Sequence, residues 1–101
     1  MRSIIDGKMY NTATAILVAD HQYSDSNDWD YENEELYLKK TGEWFLYAEG
    51  GPNSKYGEKY GSSNRCGGEV IKPYTQEEAK KWLENNKCTT AYIKYFGEPE
   101  E

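Results

Sequence analysis

The side chains able to carry catalytic chemistry are few in this sequence. The only histidine is His21, and the only cysteines are Cys66 and Cys88. A nucleophilic thiol needs a neighbouring base, and His21 could serve either cysteine in that role. Nothing in the spacing of the three residues favours such a pair over a chance occurrence. We therefore expect no catalytic residues and a protein that is not an enzyme.

The same residues offer little to a metal ion. Neither cysteine belongs to a Cys-x-x-Cys pair, so a closed zinc site would require both thiols, His21 and a carboxylate. The acidic residues Asp25 and Asp28 could each begin a calcium-binding loop. The position that must then be glycine holds Asp30 or Asn33. We expect no metal site and no cofactor.

Acidic residues are concentrated in one segment of the chain. The sixteen positions from 20 to 35 hold seven acidic side chains and no lysine or arginine, whereas the remaining chain has 11 acidic and 12 basic residues. The formal net charge of -6 is therefore local. A concentrated negative potential attracts basic partners and repels nucleic acid. We expect a surface that binds a basic protein and makes no direct contact with nucleic acid.

Two aromatic residues, Trp29 and Tyr31, lie inside the acidic segment. Tryptophan and tyrosine are enriched among the residues that dominate binding energy at protein interfaces. The alternative interpretation is a solvated acidic loop whose two rings pack onto the core. The candidate partner-binding residues are Asp25, Asp28, Trp29, Asp30, Tyr31, Glu32 and Glu34.

Positions 50–68 form a second candidate site. This stretch contains six glycines together with serine, asparagine and proline, and loops of this length in small domains are usually functional or disordered. Its basic and aromatic residues could bind a phosphate backbone or a small ligand, or pair with the acidic segment. Pro52 and the absence of the Gly-x-x-x-x-Gly-Lys spacing argue against a nucleotide-binding loop. The secondary candidate residues are Ser54, Lys55, Tyr56 and Arg65.

The elements that must position these residues begin with strands. Strand-like runs at about 34–40 and 43–49 flank Thr41-Gly42 and predict the central hairpin of a small antiparallel sheet. Asp6-Gly7 predicts a tight turn between two N-terminal strands. Asn11 or Thr12 is expected to cap a brief helical turn. The β-branched run from Ile16 to Ala19 favours a strand, with a helix as the rival interpretation.

The second half of the chain predicts helices. Positions 20–31 are expected to form a loop, and positions 69–72 a short strand that ends at Pro73. Thr75 and Glu78 have the spacing of a capping box, which begins a helix at about 75–86. A short second helix is expected at about 90–96, and Gly97 ends it. The fold class is α+β, in a single domain over positions 1–101.

Composition limits the core and the cellular location. Leucine, isoleucine, valine and phenylalanine supply 14 of 101 residues, few enough to suggest disorder, but ten tyrosines and three tryptophans provide apolar surface instead. No apolar run is long enough to cross a membrane. No export signal opens the chain, so we expect a cytoplasmic protein with two free thiols, a single disulfide being the alternative.

Several short motifs together resemble a family of small, functionally uncharacterised bacterial proteins. The resemblance covers nearly the whole chain, and its motifs are distinctive as a set although each alone is weak. They are Ile4-Ile5-Asp6-Gly7-Lys8 with Tyr10-Asn11-Thr12-Ala13-Thr14, Glu35-Leu36-Tyr37, Gly42 with Trp44-Phe45-Leu46, Glu49-Gly50-Gly51 with Ser54-Lys55-Tyr56, and Gly67-Gly68 with Pro73 and Glu77-Glu78-Ala79.

The resemblance implies a compact α+β fold and an origin on a phage, plasmid or integrative element, without implying a reaction. Small acidic proteins of such elements include anti-CRISPR proteins, which occupy the basic nucleic-acid channels of RNA-guided nucleases. We therefore expect an inhibitor that blocks DNA loading by a type II CRISPR effector nuclease. The alternative is an accessory protein that binds nucleic acid or a small ligand through positions 50–68.

Overall fold

The computed structural model describes residues 1–23, 29–60 and 64–100. The strands come first in the chain and the two helices come last. In chain order the described elements are β1 (Arg2–Ile5), β2 (Lys8–Asn11), β3 (Ile16–Tyr23), β4 (Glu32–Leu38), β5 (Trp44–Gly50), β6 (Glu58–Tyr60), β7 (Asn64–Cys66), β8 (Gly68–Tyr74), α1 (Gln76–Asn85) and α2 (Thr89–Phe96).

A four-stranded antiparallel sheet forms the centre of the molecule. Its strand order is β3-β4-β5-β8, and separate two-stranded pairs are formed by β1 with β2 and by β6 with β7. The central hairpin is confirmed, since β4 pairs with β5 from Glu32 opposite Gly50 to Leu38 opposite Trp44. Sheet and C-terminal helices together confirm the α+β fold.

The N-terminal hairpin is also confirmed. Asp6 and Gly7 have φ angles of 51° and 78°, which is the left-handed pair that a two-residue turn requires. The expected helical turn after it is a single hydrogen-bonded turn and no helix. Asn11 caps this turn, because its side-chain oxygen accepts from the backbone N of Ala13 at 2.9 Å and its carbonyl accepts from Ala15 at 3.2 Å.

Two predicted strand boundaries are wrong, and one pair of short strands was not predicted. The run from Ile16 is a strand, as favoured, but it extends to Tyr23, so the predicted loop at 20–31 begins too early. Pro73 lies inside β8, opposite Phe45, instead of ending the strand. An edge strand can accommodate proline because the missing N–H needs no partner there. Positions 50–68 also contain the short pair β6 and β7, which the loop prediction missed.

The helices cover one face of the sheet. The core on this side joins leucines of β4 and β5 to α1, with Leu36, Leu46 and Leu83 at 0–1% exposure. The capping box is confirmed: Glu78 N donates to Thr75 Oγ1 at 3.1 Å, and Thr75 N donates to Glu78 Oε1 at 2.8 Å. Both helices therefore begin close to where the sequence predicted.

The described residues cover the opposite face of the sheet, called the open face below, at the end where the β1–β2 hairpin packs. There the β1–β2 hairpin contributes Tyr10, whose ring meets Phe45 edge-on at 5.5 Å, while Tyr37 stacks on Phe45 at 5.2 Å. Ile71 completes this second core. An ion pair of 2.9 Å between Lys8 and Glu43 ties the hairpin to the sheet.

Candidate protein-binding surface

The acidic segment and the glycine-rich segment are joined in the structure. Gly51 N donates to the carbonyl oxygen of Tyr31 at 2.9 Å, and Asn53 N donates to the carbonyl oxygen of Trp29 at 2.9 Å. In the described part of the chain, Trp29 and Tyr31 at the end of the β3–β4 connection therefore lie beside Gly51 and Asn53 at the start of the β5–β6 connection.

Glycine is required where these two segments touch. A Cβ atom on Gly51 would lie 2.5 Å from the carbonyl oxygen of Trp29, and one on Gly50 would lie 2.0 Å from Ser54 Oγ. Both distances are shorter than real Cβ atoms show. Contact with the backbone of Trp29 thus explains Gly51, and the Ser54 side chain within the glycine-rich segment explains Gly50.

Ser54 is a structural residue. Its side chain is 4% exposed, and its Oγ donates to the carbonyl oxygen of Gly51 at 2.8 Å. The same Oγ accepts from Tyr56 N at 3.2 Å. Because the hydroxyl both donates and accepts a hydrogen bond within the turn, Ser54 shapes this loop and does not present a group to a ligand.

Two residues of the glycine-rich segment, Lys55 and Tyr56, contact acidic partners. Lys55 Nζ lies 3.3 Å from Glu34 Oε2 and 5.2 Å from the centre of the Tyr56 ring, while Lys55 N donates to Glu32 Oε2 at 3.0 Å. Of the two alternatives that the sequence left open, pairing with the acidic segment is what the structure shows. The side chain of Arg65 lies outside the described part.

Glu34 is held inside the fold. Its side chain is 13% exposed and accepts hydrogen bonds from Tyr56 Oη and, at 3.0 Å, from Trp82 Nε1. Burial raises its pKa, but these two hydrogen bonds and the charge of Lys55 outweigh burial and leave the pKa below its ordinary value. Glu34 is therefore an ionised anchor between sheet and helix.

The other candidates of the acidic segment differ in accessibility. Trp29 is 67% exposed and Asp30 is also exposed, whereas Tyr31 and Glu32 are half-buried. Asp25 and Asp28 lie outside the described residues. Trp29 is thus the large ring of this segment that is open to a partner.

A second group of carboxylates lies on the open face, beyond the end that the hairpin covers. Cross-strand pairing places Asp20 opposite Glu35 and Glu49 opposite Glu69. Directly paired residues point to the same face of a sheet, and their Cβ atoms lie about 5 Å apart. We call Asp20, Glu35, Glu49 and Glu69 the acidic patch. Sequence reasoning missed all four members as site residues and counted Asp20 and Glu35 only in the charge total of the acidic segment.

Tyrosine hydroxyls organise this patch. Tyr37 Oη donates to Glu35 Oε1 at 2.7 Å, and Tyr47 Oη lies 2.9 Å from Glu49 Oε2 and 2.8 Å from Glu69 Oε2. Burial, followed by the adjacent carboxylates, raises the pKa of both tyrosines well above its ordinary value. The phenols therefore stay neutral and hold the carboxylates in place.

The strand pattern contained the signal for this patch. Each of the three strands alternates, with an aromatic or apolar residue two positions from the acid: Glu35 with Tyr37, Tyr47 with Glu49, and Glu69 with Ile71. Alternation places each acid on the same face as its apolar neighbour. Only the register between strands, which the sequence does not fix, shows that the acids meet at one end.

The histidine and cysteines are not assembled into a site. Cys66 and Cys88 are both free thiols, and burial followed by the charge of Asp20 raises the pKa of Cys88. His21 is exposed on β3, opposite Glu34. Within residues 1–23, 29–60 and 64–100, no group of three histidine, cysteine or acidic side chains is placed to hold a metal ion.

Neither of the two helices in the described ranges is long and apolar enough to cross a bilayer. Comparison of the chain with protein-family models, with curated proteins and with solved structures finds no match.

Proposed function

We propose that this protein is a non-enzymatic binding protein whose acidic surface engages a basic protein surface. The observation that carries the proposal is the acidic patch, in which two cross-strand carboxylate pairs, Asp20 with Glu35 and Glu49 with Glu69, lie two residues apart in register on the open face. None of the four forms an ion pair with a lysine or arginine side chain that the structure describes. Their charge is thus available to a cationic partner.

The surface extends from the patch to the acidic segment. Trp29 offers an exposed ring in that segment, and rings of this type anchor interfaces when a partner excludes water from them. Asp30 is exposed in the same segment. A surface with an aromatic anchor and surrounding carboxylates fits a partner that presents lysine and arginine around an apolar recess.

The specific partner that we propose is the DNA-loading region of a type II CRISPR effector nuclease, in the bacterial cytoplasm. Such a region is basic because it holds nucleic acid through phosphate contacts. A rigid array of carboxylates presents the same charge to that region as phosphates do. Inhibition would then follow from occupancy alone, without catalysis, cofactor or direct contact between the inhibitor and nucleic acid.

The experiment that tests this proposal removes charge while keeping shape. Asp20→Asn with Glu69→Gln should weaken binding to the purified nuclease at least about tenfold and restore DNA cleavage, since interfacial charge pairs contribute strongly to affinity. Glu98→Gln with Glu100→Gln changes the net charge equally in the C-terminal tail and should have no effect. Undiminished inhibition by the first variant, with an unchanged fold by circular dichroism, contradicts the proposal.

A second variant separates the acidic segment from the patch. Asp25→Lys, Asp28→Lys and Asp30→Lys together should also abolish inhibition if the segment takes part in binding. Reversal of Glu84, Glu98 and Glu100 to lysine is the matched control. Binding should weaken as salt rises, because the screening length falls from about 10 Å at 0.1 M to about 3 Å at 1 M. Affinity that does not depend on salt argues against an electrostatic interface.

The alternative, binding of nucleic acid or a small ligand through positions 50–68, has weaker support. Lys55 and Lys72 flank Tyr56 at 5.2 and 5.7 Å from the ring centre, beside a cavity of about 460 Å³. Lys55 is already paired with Glu34, and Glu58 and Glu69 line the same cavity. A mobility shift with DNA or RNA would favour this alternative over the proposed function.

A further inference from the structure

A cleft of about 290 Å³ lies beside the acidic patch, at the end of the sheet where Gly50 pairs with Gly68. A tyrosine ring, two carboxylates and glycine backbone line it: Tyr31, Glu49, Glu69, Gly50, Gly67 and Gly68. Small-molecule ligands usually occupy pockets of about 300–1,000 Å³. The volume of this cleft suits one long side chain of a partner better than a ligand of cofactor size.

Backbone forms the floor of the cleft, and a ring forms one wall. A Cβ atom on Gly67 would lie 2.9 Å from the carbonyl oxygen of Gly50, closer than real Cβ atoms approach. The carbonyl oxygen of Tyr31 accepts from Gly51 N at 2.9 Å, and a Cβ atom on Gly51 would lie 3.1 Å from Cδ1 of the Tyr31 ring. The ring is therefore held against the glycine-rich segment.

The two carboxylates of the cleft share one hydrogen-bond donor. Tyr47 Oη lies 2.9 Å from Glu49 Oε2 and 2.8 Å from Glu69 Oε2, but a phenol has a single proton and donates to one acceptor at a time. Glu49 and Glu69 are also directly paired across β5 and β8, where like charges destabilise a sheet. A cation that donates to both carboxylates would supply the second donor and offset their repulsion.

Two lysines of the chain show how this fold holds a cation. Each lies over a tyrosine ring and beside a carboxylate: Lys39 with Tyr10 and Glu43, and Lys55 with Tyr56 and Glu34. The distances from Nζ to the ring centre are 4.3 and 5.2 Å, and those from Nζ to the carboxylate oxygen are 3.0 and 3.3 Å. The cleft has the same components, a tyrosine ring and carboxylates, and none of the described lysines or arginines lines it.

We propose that this cleft binds an arginine side chain of the basic partner. The inference rests on the proposed function and names the group that the partner supplies. A guanidinium is planar and has five N–H donors, so it can stack on Tyr31 while it donates to Glu49 and Glu69. An ammonium is a compact, strongly hydrated point charge that gains less from a ring. The cleft therefore selects arginine over lysine.

The test compares three peptides that differ in one side chain. Each is an acetylated and amidated pentapeptide with glycine and alanine around a central arginine, lysine or citrulline, and NMR follows its addition to the intact protein. The arginine peptide should bind at least about threefold more tightly than the lysine peptide, because the guanidinium stacks and donates in a plane. It should bind at least about tenfold more tightly than the citrulline peptide, which has nearly the same shape without the charge. Resonances of Tyr31, Glu49 and Gly67 should shift.

Two variants test the cleft from the protein side. Tyr31→Leu keeps an apolar side chain but removes the ring, and should abolish the preference for arginine over lysine. Tyr23→Leu is its control, because it removes a ring that is 62% exposed and does not line the cleft. Glu49→Gln should weaken binding of the arginine peptide at least about tenfold, whereas Glu98→Gln in the C-terminal tail should have no effect.

Four outcomes overturn the inference. They are no binding of the arginine peptide, equal binding of the three peptides, shifts confined to residues outside the cleft, and an unchanged arginine preference in both folded variants. The peptide comparison uses the unaltered protein, so it gives a decision even where a variant does not fold.

The proposed function stands or fails on other measurements. Inhibition of the nuclease that depends on the acidic patch, without binding of the arginine peptide, would reject the cleft and keep the proposed function. Arginine-selective binding in the cleft by a protein that does not bind the nuclease would reject the nuclease as partner and keep the cleft.

Discussion

Trp82 Nε1 donates a hydrogen bond of 3.0 Å to Glu34 Oε1 and so links α1 to β4 across 48 positions of the chain. Tyr56 donates to the other oxygen of the same carboxylate. Trp82 is only 6% exposed, and the carboxylate is therefore an acceptor at the boundary between core and surface. Helix, sheet and glycine-rich segment meet at this one group.

Breaking this link should destabilise the protein. Trp82→Phe leaves Glu34 Oε1 without its buried donor, which we expect to lower the free energy of unfolding by about 1–3 kcal/mol. The measurement is urea denaturation followed by circular dichroism. In a double-mutant cycle with Glu34→Gln, we expect a coupling energy of about 0.5–3 kcal/mol between the two residues. Additive effects would contradict the link, and Glu84→Gln, on the exposed side of α1, is the control.

The contact between the two connections should depend on Gly51. Gly51→Ala would place a Cβ atom 2.5 Å from the carbonyl oxygen of Trp29, and the backbone of one of the two segments must therefore move. We expect a loss of about 2–4 kcal/mol in the free energy of unfolding, in the range of substitutions that force strain. Asn53→Ala in the same loop retains the backbone donor to Trp29 and should cost much less. Equal stabilities of the two variants would show that the segments are not held together as described.

Acid titration should identify the ion pair between Lys8 and Glu43, which ties the β1–β2 hairpin to the sheet. Hydrogen bonds from Lys8, then Lys39 and Thr41, lower the pKa of Glu43 to about 2. Because folding lowers the pKa of Glu43, the ion pair stabilises the fold fully at pH values above the unfolded pKa near 4.5. This stabilisation is lost as the pH falls toward 2. Lys8→Met should raise the pKa of Glu43, measured by carboxyl NMR.

Lys94→Met, on α2, removes the same charge far from the pair and is the control. A Glu43 pKa that is unchanged in the Lys8 variant would show that the hairpin does not contact the sheet through this group in solution.

Alkaline titration should reveal three tyrosines that resist ionisation. Burial and neighbouring carboxylates raise the pKa values of Tyr37, Tyr47 and Tyr56. Because folding raises the pKa of these tyrosines, their neutral phenols stabilise the fold at pH values below the unfolded pKa near 10. This stabilisation is lost as the pH rises through the pKa of the folded state. Phenolate absorbance should therefore develop in two stages, of which the later belongs to these three tyrosines.

The second stage should coincide with unfolding. Glu35→Gln removes the charge next to Tyr37 and should shift part of that stage to lower pH, whereas Glu77→Gln should not. A single smooth transition at the ordinary tyrosine pKa would contradict the contacts between the phenols and the carboxylates.

Local signals in the sequence predicted most of the fold. The Asp6-Gly7 turn, the central hairpin and the capping box at Thr75 each depend on residues within a few positions of one another, and all three are confirmed. The end of β3 was missed because Asp20 to Tyr23 has no apolar periodicity. Those residues are extended because β4 pairs with them, which is a tertiary effect.

The candidate site was harder to predict than the fold. The acidic segment was recognisable from charge alone, but Glu34 within it turned out to be an internal anchor, since its partner Trp82 is remote in sequence. The acidic patch depends on register, which pairs Asp20 of β3 with Glu35 of β4, and Glu49 of β5 with Glu69 of β8. Single-strand patterns give the face of each acid and not its neighbours across the sheet.

The pairing of ring donors with carboxylates restricts how this protein can evolve. Tyr37 depends on Glu35, Tyr47 on Glu49 and Glu69, and Trp82 on Glu34, so that the same carboxylates supply surface charge and hold the aromatic core in place. If the protein binds a basic partner as proposed, substitutions in that partner that weaken binding could not easily be matched by changes at these carboxylates. Adaptation would be confined to acidic positions that anchor no ring, and to the length and sequence of the segment between β3 and β4.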